Sequence, residues 1–536
     1  MATAKKHLQG KWALYSLILI VILVGGYVGA DMYVKTLGPR VRSRIVKALA
    51  ARFDADVDLT YLDIALLPQP TVVGEGLTIR HKGWGNLPPL IHIRRFSAQT
   101  DLVSALGAKN EVRLVTLEGL EVHIPPRGRR MLLHGSRDEP GETETANPEP
   151  GHDLTKLKFN IQTIVADGTK LIIDPAKQNK IPLEFDIGKL TLRSVGANQP
   201  MTFVAQLTNA KPPGLIYSTG HFGPWQRDEP RSTPVDGTYD FKNADLSVFN
   251  GISGTLNSSG RYGGVLQHII VDGITDTPNF AVKRAGAPVD LKTKFHAIVD
   301  GTNGDTFLDP VDASFLSTEL VCRGGVYGKQ GEQGKTVNLN ITTTRGRVQD
   351  LLHLVIRETR PMLTGGVDFR AAMAIPPGKV DILNKLQLQG TFGINSAHFT
   401  SSNIQKRIQT LSERARGISK KEAEAQPQGS VASNFFGKFD LRNGLARFPE
   451  MTFDVPGAHV QLEGNYNVDT TAIDMHGIFR MQATLSETQS GWKRLLLMPF
   501  NRIFEKDGAG FQLPFTIQGD KDHPDFRLEL FHRTSR

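Results

Sequence analysis

Apolar and polar residues alternate over short runs along most of this chain. Leu291 and Phe295 share one side of a run whose intervening positions are polar, and Phe515 and Ile517 repeat the pattern near the end. Because a period of two puts successive side chains on opposite faces of a β-strand, these runs predict strands with one apolar and one polar face. Clusters of Gly, Asn, Asp and Pro separate the runs, as hairpin connections require.

One run shows a change of phase. In VRLVTLEGLEVHI, Val112 and Leu114 are assigned to one face, and the pattern continues at Leu120 after a shift at Glu118-Gly119. LKFNI and the segment around Phe453 show the same alternation. The residues predicted to line an apolar β-surface are Leu114, Leu157, Phe159, Phe295, Phe453, Phe515 and Ile517.

Helical periodicity is rare in this chain. It is confined to Pro39–Phe53, Val348–Arg360, Asn403–Arg416 and Trp492–Phe504. Four helices are too few to cover the apolar faces of about twenty-five strands of ordinary length. Those faces must therefore meet each other, as in a sandwich or barrel, or border a shared interior. The predicted fold class is mainly β.

An uncharged apolar stretch, Trp12–Ala30, precedes the strands. At about 1.5 Å per residue it is long enough to cross a hydrocarbon core. Trp12, Tyr15 and Tyr27 lie near its ends, where amphipathic rings favour the membrane interface, and Ala30 closes it. A cleavable signal peptide is the alternative, since the last three residues are small. The apolar run exceeds the usual signal core, which favours an uncleaved transmembrane helix.

Basic residues flank the apolar stretch on both sides. The lysines before it predict a cytoplasmic N-terminus, and a long C-terminal domain translocates largely regardless of the charges after it. The following predicted helix, Pro39–Phe53, carries Arg40, Arg42, Arg44 and Lys47 beside an apolar side. Such a helix is suited to lie on lipid headgroups. The alternative is a helix that packs on the first strands with its charges solvated.

Composition narrows the classes of partner. The chain has 536 residues, a net charge of +9 and 7% aromatic residues. Its basic residues are dispersed and no nucleic-acid-binding module is recognisable, so the sequence predicts no nucleic-acid partner. A basic surface held at a membrane is better suited to attract anionic lipid headgroups. The single cysteine, Cys322, excludes an intramolecular disulfide and is expected to act as a small apolar residue.

Two polar stretches without periodicity, residues 127–153 and 417–430, are predicted to be a linker and a flexible loop. They divide the chain into a cytoplasmic tail (1–11), a transmembrane helix (12–30), a helix with the first β segment (31–126), a central β segment (154–416) and a C-terminal β segment (431–536). A weak echo between TYDFKNADL and GKFDLRNGL, each followed by a strand and a glycine turn, predicts a repeated meander unit.

Motifs that carry chemistry are missing from the sequence. Gly328–Thr336 resembles a phosphate-binding loop but has the wrong spacing and no helical pattern after it, so a glycine-rich hairpin loop is expected. The histidines are scattered and give no metal-binding spacing. No nucleophile elbow appears. We therefore expect no catalytic residues, no cofactor and no metal, although a distant carboxylate pair would escape sequence inspection.

Several segments resemble the AsmA family of inner-membrane-anchored proteins of Gram-negative envelopes. The first is YLDIALLPQPTVVGEGLTIRH, near the start. The others are FKNADLSVFNGISGTLNSSG, LQLQGTFGINSAHFTSSNIQKRIQTLSERARG and GKFDLRNGLARFPEMTFDVPGAHVQLEGNYNVDTTAIDMHG. The resemblance covers most of the chain outside the two polar stretches. Its motifs are diffuse patterns of glycine and alternation, and it carries no catalytic residues.

The resemblance implies a fold and two candidate functions. The fold is a single N-terminal transmembrane helix followed by an elongated, curved, taco-like antiparallel β-groove with an apolar lining, related to bridge-like lipid-transfer proteins. The implied place is the inner membrane, with the bulk of the chain in the periplasm. The first function is binding and transfer of phospholipid between the two membranes. The second is an envelope scaffold or assembly factor that contacts an outer-membrane or periplasmic partner protein. A polysaccharide-active enzyme is a third, less favoured interpretation.

Overall fold

The computed structural model describes residues 55–65, 69–81, 88–100, 111–124, 160–173, 183–195, 199–226, 229–283, 286–328, 334–356, 361, 363–400, 409, 433–481, 512–520 and 523–528, with most positions between 38 and 50. The apolar stretch Trp12–Ala30 and the predicted helix Trp492–Phe504 lie outside these residues. Within them, no helix has both the length and the apolar character needed to span a membrane.

The described part of the chain forms 24 strands. The first twelve are β1 (Ala55–Ala65), β2 (Thr71–His81), β3 (Ile91–Gln99), β4 (Glu111–Ile124), β5 (Asn160–Ile173), β6 (Leu183–Val195), β7 (Met201–Ala210), β8 (Pro213–Phe222), β9 (Pro234–Asp245), β10 (Ile252–Ser253), β11 (Thr255–Val265) and β12 (His268–Val282).

The remaining strands are β13 (Val289–Val299), β14 (Thr306–Phe315), β15 (Thr318–Gly328), β16 (Lys335–Arg345), β17 (Leu363–Ile375), β18 (Gln387–Phe399), β19 (Ser433–Arg442), β20 (Leu445–Val455), β21 (Ala458–Asn467), β22 (Ala472–Met481), β23 (Gln512–Asp520) and β24 (Pro524–Leu528). Two helices are α1 (Val348–Val355) and α2 (Ile382–Lys385). The predicted mainly β fold is confirmed.

The strands form one continuous meander. Each strand pairs with the next along the chain, except that the short β10 pairs with β12 and β9 pairs directly with β11. The pairs are antiparallel except for β4 and β5, which run parallel. The predicted antiparallel arrangement therefore holds for the described sheet, with this pair as its one exception. A parallel pair needs a long return connection, and residues 125–159 supply it, so the sheet runs on across the predicted linker.

The sheet has two chemically different faces. We call the face that carries Phe295 and its cross-strand partners the inner face, and the opposite one the outer face. The outer face carries ion pairs between neighbouring strands, such as Lys438 with Glu450 and Arg261 with Asp272, whose side chains are exposed to solvent. Such exposed pairs contribute little to stability. These charged side chains keep the outer face solvated, whereas the inner face is apolar.

The sheet curls back on itself into a half-barrel, with the apolar face inside. The connection after β9 meets the connection between β17 and β18, where the Ile382 amide donates to the Asn250 carbonyl at 2.8 Å and the Asn250 amide group donates to the Lys379 carbonyl at 2.7 Å. At α1, the His353 carbonyl accepts from the Ala287 amide at 2.9 Å. Distant strands are thus tied together across the curl.

A change of strand phase occurs where the sequence predicts it. Gly119 has a φ of 64°, which favours glycine, and the side chains on either side of it, Leu117 and Leu120, are both buried in the same cluster. Strands β2 and β5 also contain a glycine with a positive φ, since Gly76 has a φ of 68° and Gly168 a φ of 63°. These glycines re-aim the following residues so that each strand keeps its apolar side on the inner face.

The basic helix packs on the first strands. Every described position between 38 and 50 is helical, and Val46 and Leu49 contact the buried cluster around Leu59. The Arg42 guanidinium donates a hydrogen bond to the Leu59 carbonyl, while Lys47 is exposed. Of the two interpretations of this helix, packing on the strands is the one that the described contacts favour.

Helix α1 fills one end of the curl. Val348, Leu351 and Leu352 pack against the inner-face residues Val367 and Ile394. The helix begins where the sequence predicts it, at Val348, but it ends at Val355, before the predicted Arg360. Helix α2 has a single turn, and two 3₁₀ helices, Pro230–Ser232 and Leu246–Val248, have three residues each. Most of the inner face therefore has no second layer over it within the described residues.

Asp350 fixes α1 to the β14–β15 hairpin. Its carboxylate is buried and accepts from the Ser317 amide at 2.9 Å and from the Thr318 hydroxyl at 2.8 Å. We expect Asp350→Ala to lower the free energy of unfolding by about 1–3 kcal/mol, since it leaves two donors in a dry site without their acceptor. Urea denaturation measures this. The exposed Asp368→Ala is the matched control, and an equal loss in both variants would contradict this role for Asp350.

Candidate binding groove

The inner face is a continuous apolar surface across the middle of the sheet. Leu339, Met373, Leu388 and Leu441 are successive cross-strand partners on β16 to β19. All four side chains are half-buried, as in a lining that borders open space and not as in a sealed core. Fully buried clusters do occur, but at separate places along the sheet. The inner face is thus a groove with local cores along it.

Charge is almost absent from this lining. We followed the inner positions from partner to partner across the described strands β6 to β23, and the one charged side chain among them is Lys335, at the start of β16. Burying an unpaired charge in apolar surroundings costs several kcal/mol, so an uncharged lining is what an apolar ligand requires. The ion pairs of the outer face show that charge is not scarce in these strands.

Phenylalanines concentrate on the inner face of β17 to β20. The rings of Phe435 and Phe453 lie 4.5 Å apart between centroids, and Phe399 meets Phe453 edge-on at 6.3 Å. On the neighbouring strands, Phe369 stacks on Phe439 at 5.5 Å. Aromatic pairs in these geometries add about 0.5–1.5 kcal/mol beyond the area that they bury. This section of the lining is held by its own side chains, with no covering layer needed.

Several inner-face phenylalanines lie over a glycine of the next strand. Phe392 is the register partner of Gly437, and Phe515 is the partner of Gly477. A Cβ placed on either glycine would lie 2.5 Å from the phenylalanine ring. The pairs of Phe96 with Gly74 and of Phe295 with Gly273 have the same arrangement. Because the glycine has no side chain, the ring is able to lie flat on the sheet. It then projects less far into the groove, which stays open.

Hydroxyl groups interrupt the apolar lining at β8 to β13. The Ser218 and Tyr262 hydroxyls are 2.7 Å apart, those of Tyr239 and Ser258 are 3.1 Å apart, and the pair of Thr275 and Thr293 continues the band at 2.7 Å. These partners satisfy one another, so the band is polar without bearing an unpaired group. Burial raises the pKa of both tyrosines, which keeps the phenols neutral at physiological pH. We call these six residues the hydroxyl band.

Cys322 belongs to the apolar part of the lining. It lies on the inner face between its partners Val311 and Ile341 and is buried. Burial raises the pKa of its thiol to about 11, so the thiol stays protonated at neutral pH and is a poor nucleophile. This placement agrees with the expectation of a small apolar residue.

Four of the predicted lining residues lie on the same face of the sheet, and the three on β20 and β23 share one cluster. Phe295, Phe453, Phe515 and Ile517 all lie on the inner face of their strands. Leu114 is out of phase with Val115 and Leu117, which join the buried cluster, so alternation puts Leu114 on the opposite face. The predicted residues that lie outside the described part are Trp12, Tyr15, Tyr27, Ala30, Arg40, Arg44, Leu157 and Phe159.

Two features of the lining were missed at the level of sequence. The flat pairs of phenylalanine and glycine depend on which strands become neighbours, and a single strand does not show that. The hydroxyl band leaves a compositional trace, because the segment from Gly251 to Gly264 is rich in Ser, Gly and Thr, but such a composition equally fits turns. The loop at Gly328–Thr336 connects β15 to β16, as the hairpin interpretation expects.

Neither a metal centre nor a relative with a known role helps to interpret the groove. Among the described residues, no cluster of three or more His, Cys, Asp or Glu side chains has the arrangement of a metal site. No protein-family model, curated protein or solved structure matches this chain. The chemistry of the lining is therefore the basis for a function.

The pair of Phe392 and Gly437 allows a direct test of the flat lining. We expect Gly437→Ala to lower the free energy of unfolding by about 1–3 kcal/mol, because the new methyl group forces the Phe392 ring off the sheet. Chemical denaturation followed by circular dichroism measures this. The matched control is Gly393→Ala on β18, where an added Cβ meets nothing within 4 Å. Equal losses in both variants would show that the close approach is not the cause.

Proposed function

We propose that this protein binds lipids by sheltering their acyl chains in the apolar groove, and that it carries phospholipid between membranes as a membrane-anchored transfer protein. The observation that carries the proposal is the half-buried apolar lining, with Lys335 as its one charged side chain, that runs across the described strands β6 to β23. The opposite face is polar and bears ion pairs. A headgroup is able to remain in water while its acyl chains lie on the lining.

The energy balance of lipid movement supports this function. A lipid that leaves a bilayer exposes its chains to water at a cost of about 0.8 kcal/mol per CH₂ group. An open apolar groove removes most of that cost without any reaction. The proposal therefore needs no catalytic residues, no nucleotide and no metal, and we assign the protein no enzymatic activity. The direction of movement has to come from a gradient or from another protein.

The extent of the sheet sets the reach of the groove. Apart from β10, the strands lie in a single file, and at about 4.8 Å per strand this file measures roughly 105 Å along its path. Curling shortens the distance between its ends. The groove is therefore better suited to part of a path between two membranes than to the whole of it, and a partner protein at the far end would complete the path.

The proposal includes a place for the N-terminal apolar stretch. The stretch Trp12–Ala30 would anchor the protein in the inner membrane and hold the first strands near the lipid surface, with the groove in the periplasm. The resemblance to the AsmA family supports this arrangement and the choice of phospholipid as cargo. The hydroxyl band lies on the path that an acyl chain would follow, and its paired hydroxyls let apolar chains pass without leaving a polar group unsatisfied.

Replacing a lining residue by a carboxylate tests the proposal. We expect Phe295→Asp to reduce copurified phospholipid several-fold, because the charge lies where acyl chains would pack. Quantitative mass spectrometry of lipids extracted from the detergent-washed protein measures this, with circular dichroism as the check on folding.

Ile274→Asp is the matched control for this experiment. Ile274 is 56% exposed on the outer face of β12, the strand that pairs with the strand of Phe295. We expect this variant to keep its full lipid content. Wild-type protein without bound lipid, or equal lipid contents in Phe295→Asp and wild type, would refute the proposal.

A scaffold that assembles other envelope proteins is the second candidate function. The observation that favours it is the end of the sheet, since β24 pairs with β23 alone among the described strands. An open sheet edge recruits a strand of another protein by β-augmentation. In a pull-down, Phe526→Pro would abolish capture of an outer-membrane partner under this function while the lipid content stays unchanged. Loss of lipid with intact capture would favour the groove.

A further inference from the structure

An open cavity lies on the polar side of the sheet, on the face opposite the apolar groove. It is an open trough of about 690 Å³ that crosses the strands β13 to β19. Its lining follows a row of outer-face register partners, in which Ile298 pairs with Phe307, Phe307 with Gly325, Gly325 with Asn338, and Asn338 with Ala374. The proposed lipid transfer makes no use of this trough.

Carboxamides line the trough. Asn340, Gln387 and Gln389 are exposed, and within the described part of the chain their side chains make no hydrogen bond. Asn340 and Gln389 flank Ala372 as its two cross-strand partners, which places them about 10 Å apart. Each carboxamide offers two donors and one acceptor to a ligand. A ligand that both donates and accepts at regular intervals would satisfy them.

An aromatic surface lies at one end of the trough. The Phe307 side chain is 51% exposed on the polar face, so about half of this large apolar group remains in water. The Tyr327 hydroxyl, which also borders the trough, accepts a hydrogen bond from the Asn338 amide group. The small residues Gly325, Ala372 and Ala374 leave the space between these rings and the carboxamides unfilled.

The charges of the trough exclude an anionic ligand. Asp300, Asp305 and Asp440 border it, against a single cation, Arg442, which is paired with Asp440 at 2.9 Å. A phosphate backbone or an acidic lipid headgroup needs several unpaired cations. An acyl chain would leave the free carboxamides without partners, at a cost of about 1–3 kcal/mol for each group that becomes buried. The carboxylates of Asp300 and Asp305 already accept hydrogen bonds within the protein, so the trough does not select a cation either. The ligand is therefore uncharged, with polar groups for the carboxamides and apolar surface for the rest of the lining.

An extended peptide fits the trough poorly. Peptides add to sheets along an open edge, where backbone groups are unpaired. The trough instead crosses the face of seven strands whose backbone groups already pair with one another. Hydroxyl groups spaced along a chain of sugar rings match the carboxamides, and the apolar face of a sugar ring matches the exposed Phe307.

We propose that the trough on the outer face is a binding site for a neutral oligosaccharide chain, which stacks a sugar ring on Phe307 and hydrogen-bonds to Asn340, Gln387 and Gln389. The site would hold the polar face of the sheet against a glycan layer while the opposite face carries its apolar cargo. It is independent of lipid binding, since the two ligands contact opposite faces.

The test uses the full chain in a zwitterionic detergent, because a detergent with a sugar headgroup would compete for the site. An array of neutral oligosaccharides that includes chitohexaose and maltohexaose selects a ligand, and calorimetric titration then measures its Kd. We expect saturable binding, which Phe307→Ala and Gln389→Ala each weaken by up to about tenfold, as the loss of one aromatic or hydrogen-bonding contact predicts.

Ile274→Ala is the control, because Ile274 is exposed on the same face but lies outside the trough. We expect it to bind the selected oligosaccharide as tightly as wild type does. The absence of saturable binding across the array, or an unchanged Kd in both Phe307→Ala and Gln389→Ala, would overturn the proposal. Displacement of the oligosaccharide by an unrelated extended peptide would overturn it as well.

Discussion

The structure depends on one constraint, which is that a long sheet with one apolar face has very little to cover that face. A β-sheet normally buries its apolar side against helices or against a second sheet. Here α1 covers one end, and residues between 38 and 50 cover the first strands. The remaining apolar surface is reduced by curling, so that the sheet shields itself in part. What curling leaves open is the groove, and the proposed function is a consequence of that remainder.

The lining shows how an open apolar face remains ordered without a covering layer. Phenylalanine rings pack on each other along β17 to β20, and several phenylalanines of the lining lie over a glycine of the next strand. Flat rings gain contact with the sheet and leave the space above it free. On the outer face, ion pairs and carboxamides keep the surface in water. The two faces therefore differ in chemistry, and the two proposed ligands would contact opposite sides of the same strands.

Local patterns in the sequence predicted the parts of the fold that depend on neighbouring residues. The alternation identified the strands, the change of phase at Glu118-Gly119 was confirmed, and the start of α1 was found at Val348. Features that depend on distant partners were missed. The parallel pair of β4 and β5 has no local signal, and the phase of Leu114 follows from where the glycine bulge falls.

The echo between two segments shows the same limit. Asn243 and Asn443 both have positive φ, at 55° and 51°. Asn243 lies within β9, whereas Asn443 lies in the turn between β19 and β20. Similar sequences thus form a bend within a strand in one place and a turn between strands in the other.

The account of the groove is tested most directly by photo-crosslinking at adjacent residues of β16. A benzophenone side chain at Ile341 faces the groove, and one at Thr342 faces outward. The account predicts phospholipid adducts at position 341 and none at 342 by mass spectrometry, and adducts at both positions or at neither would contradict it.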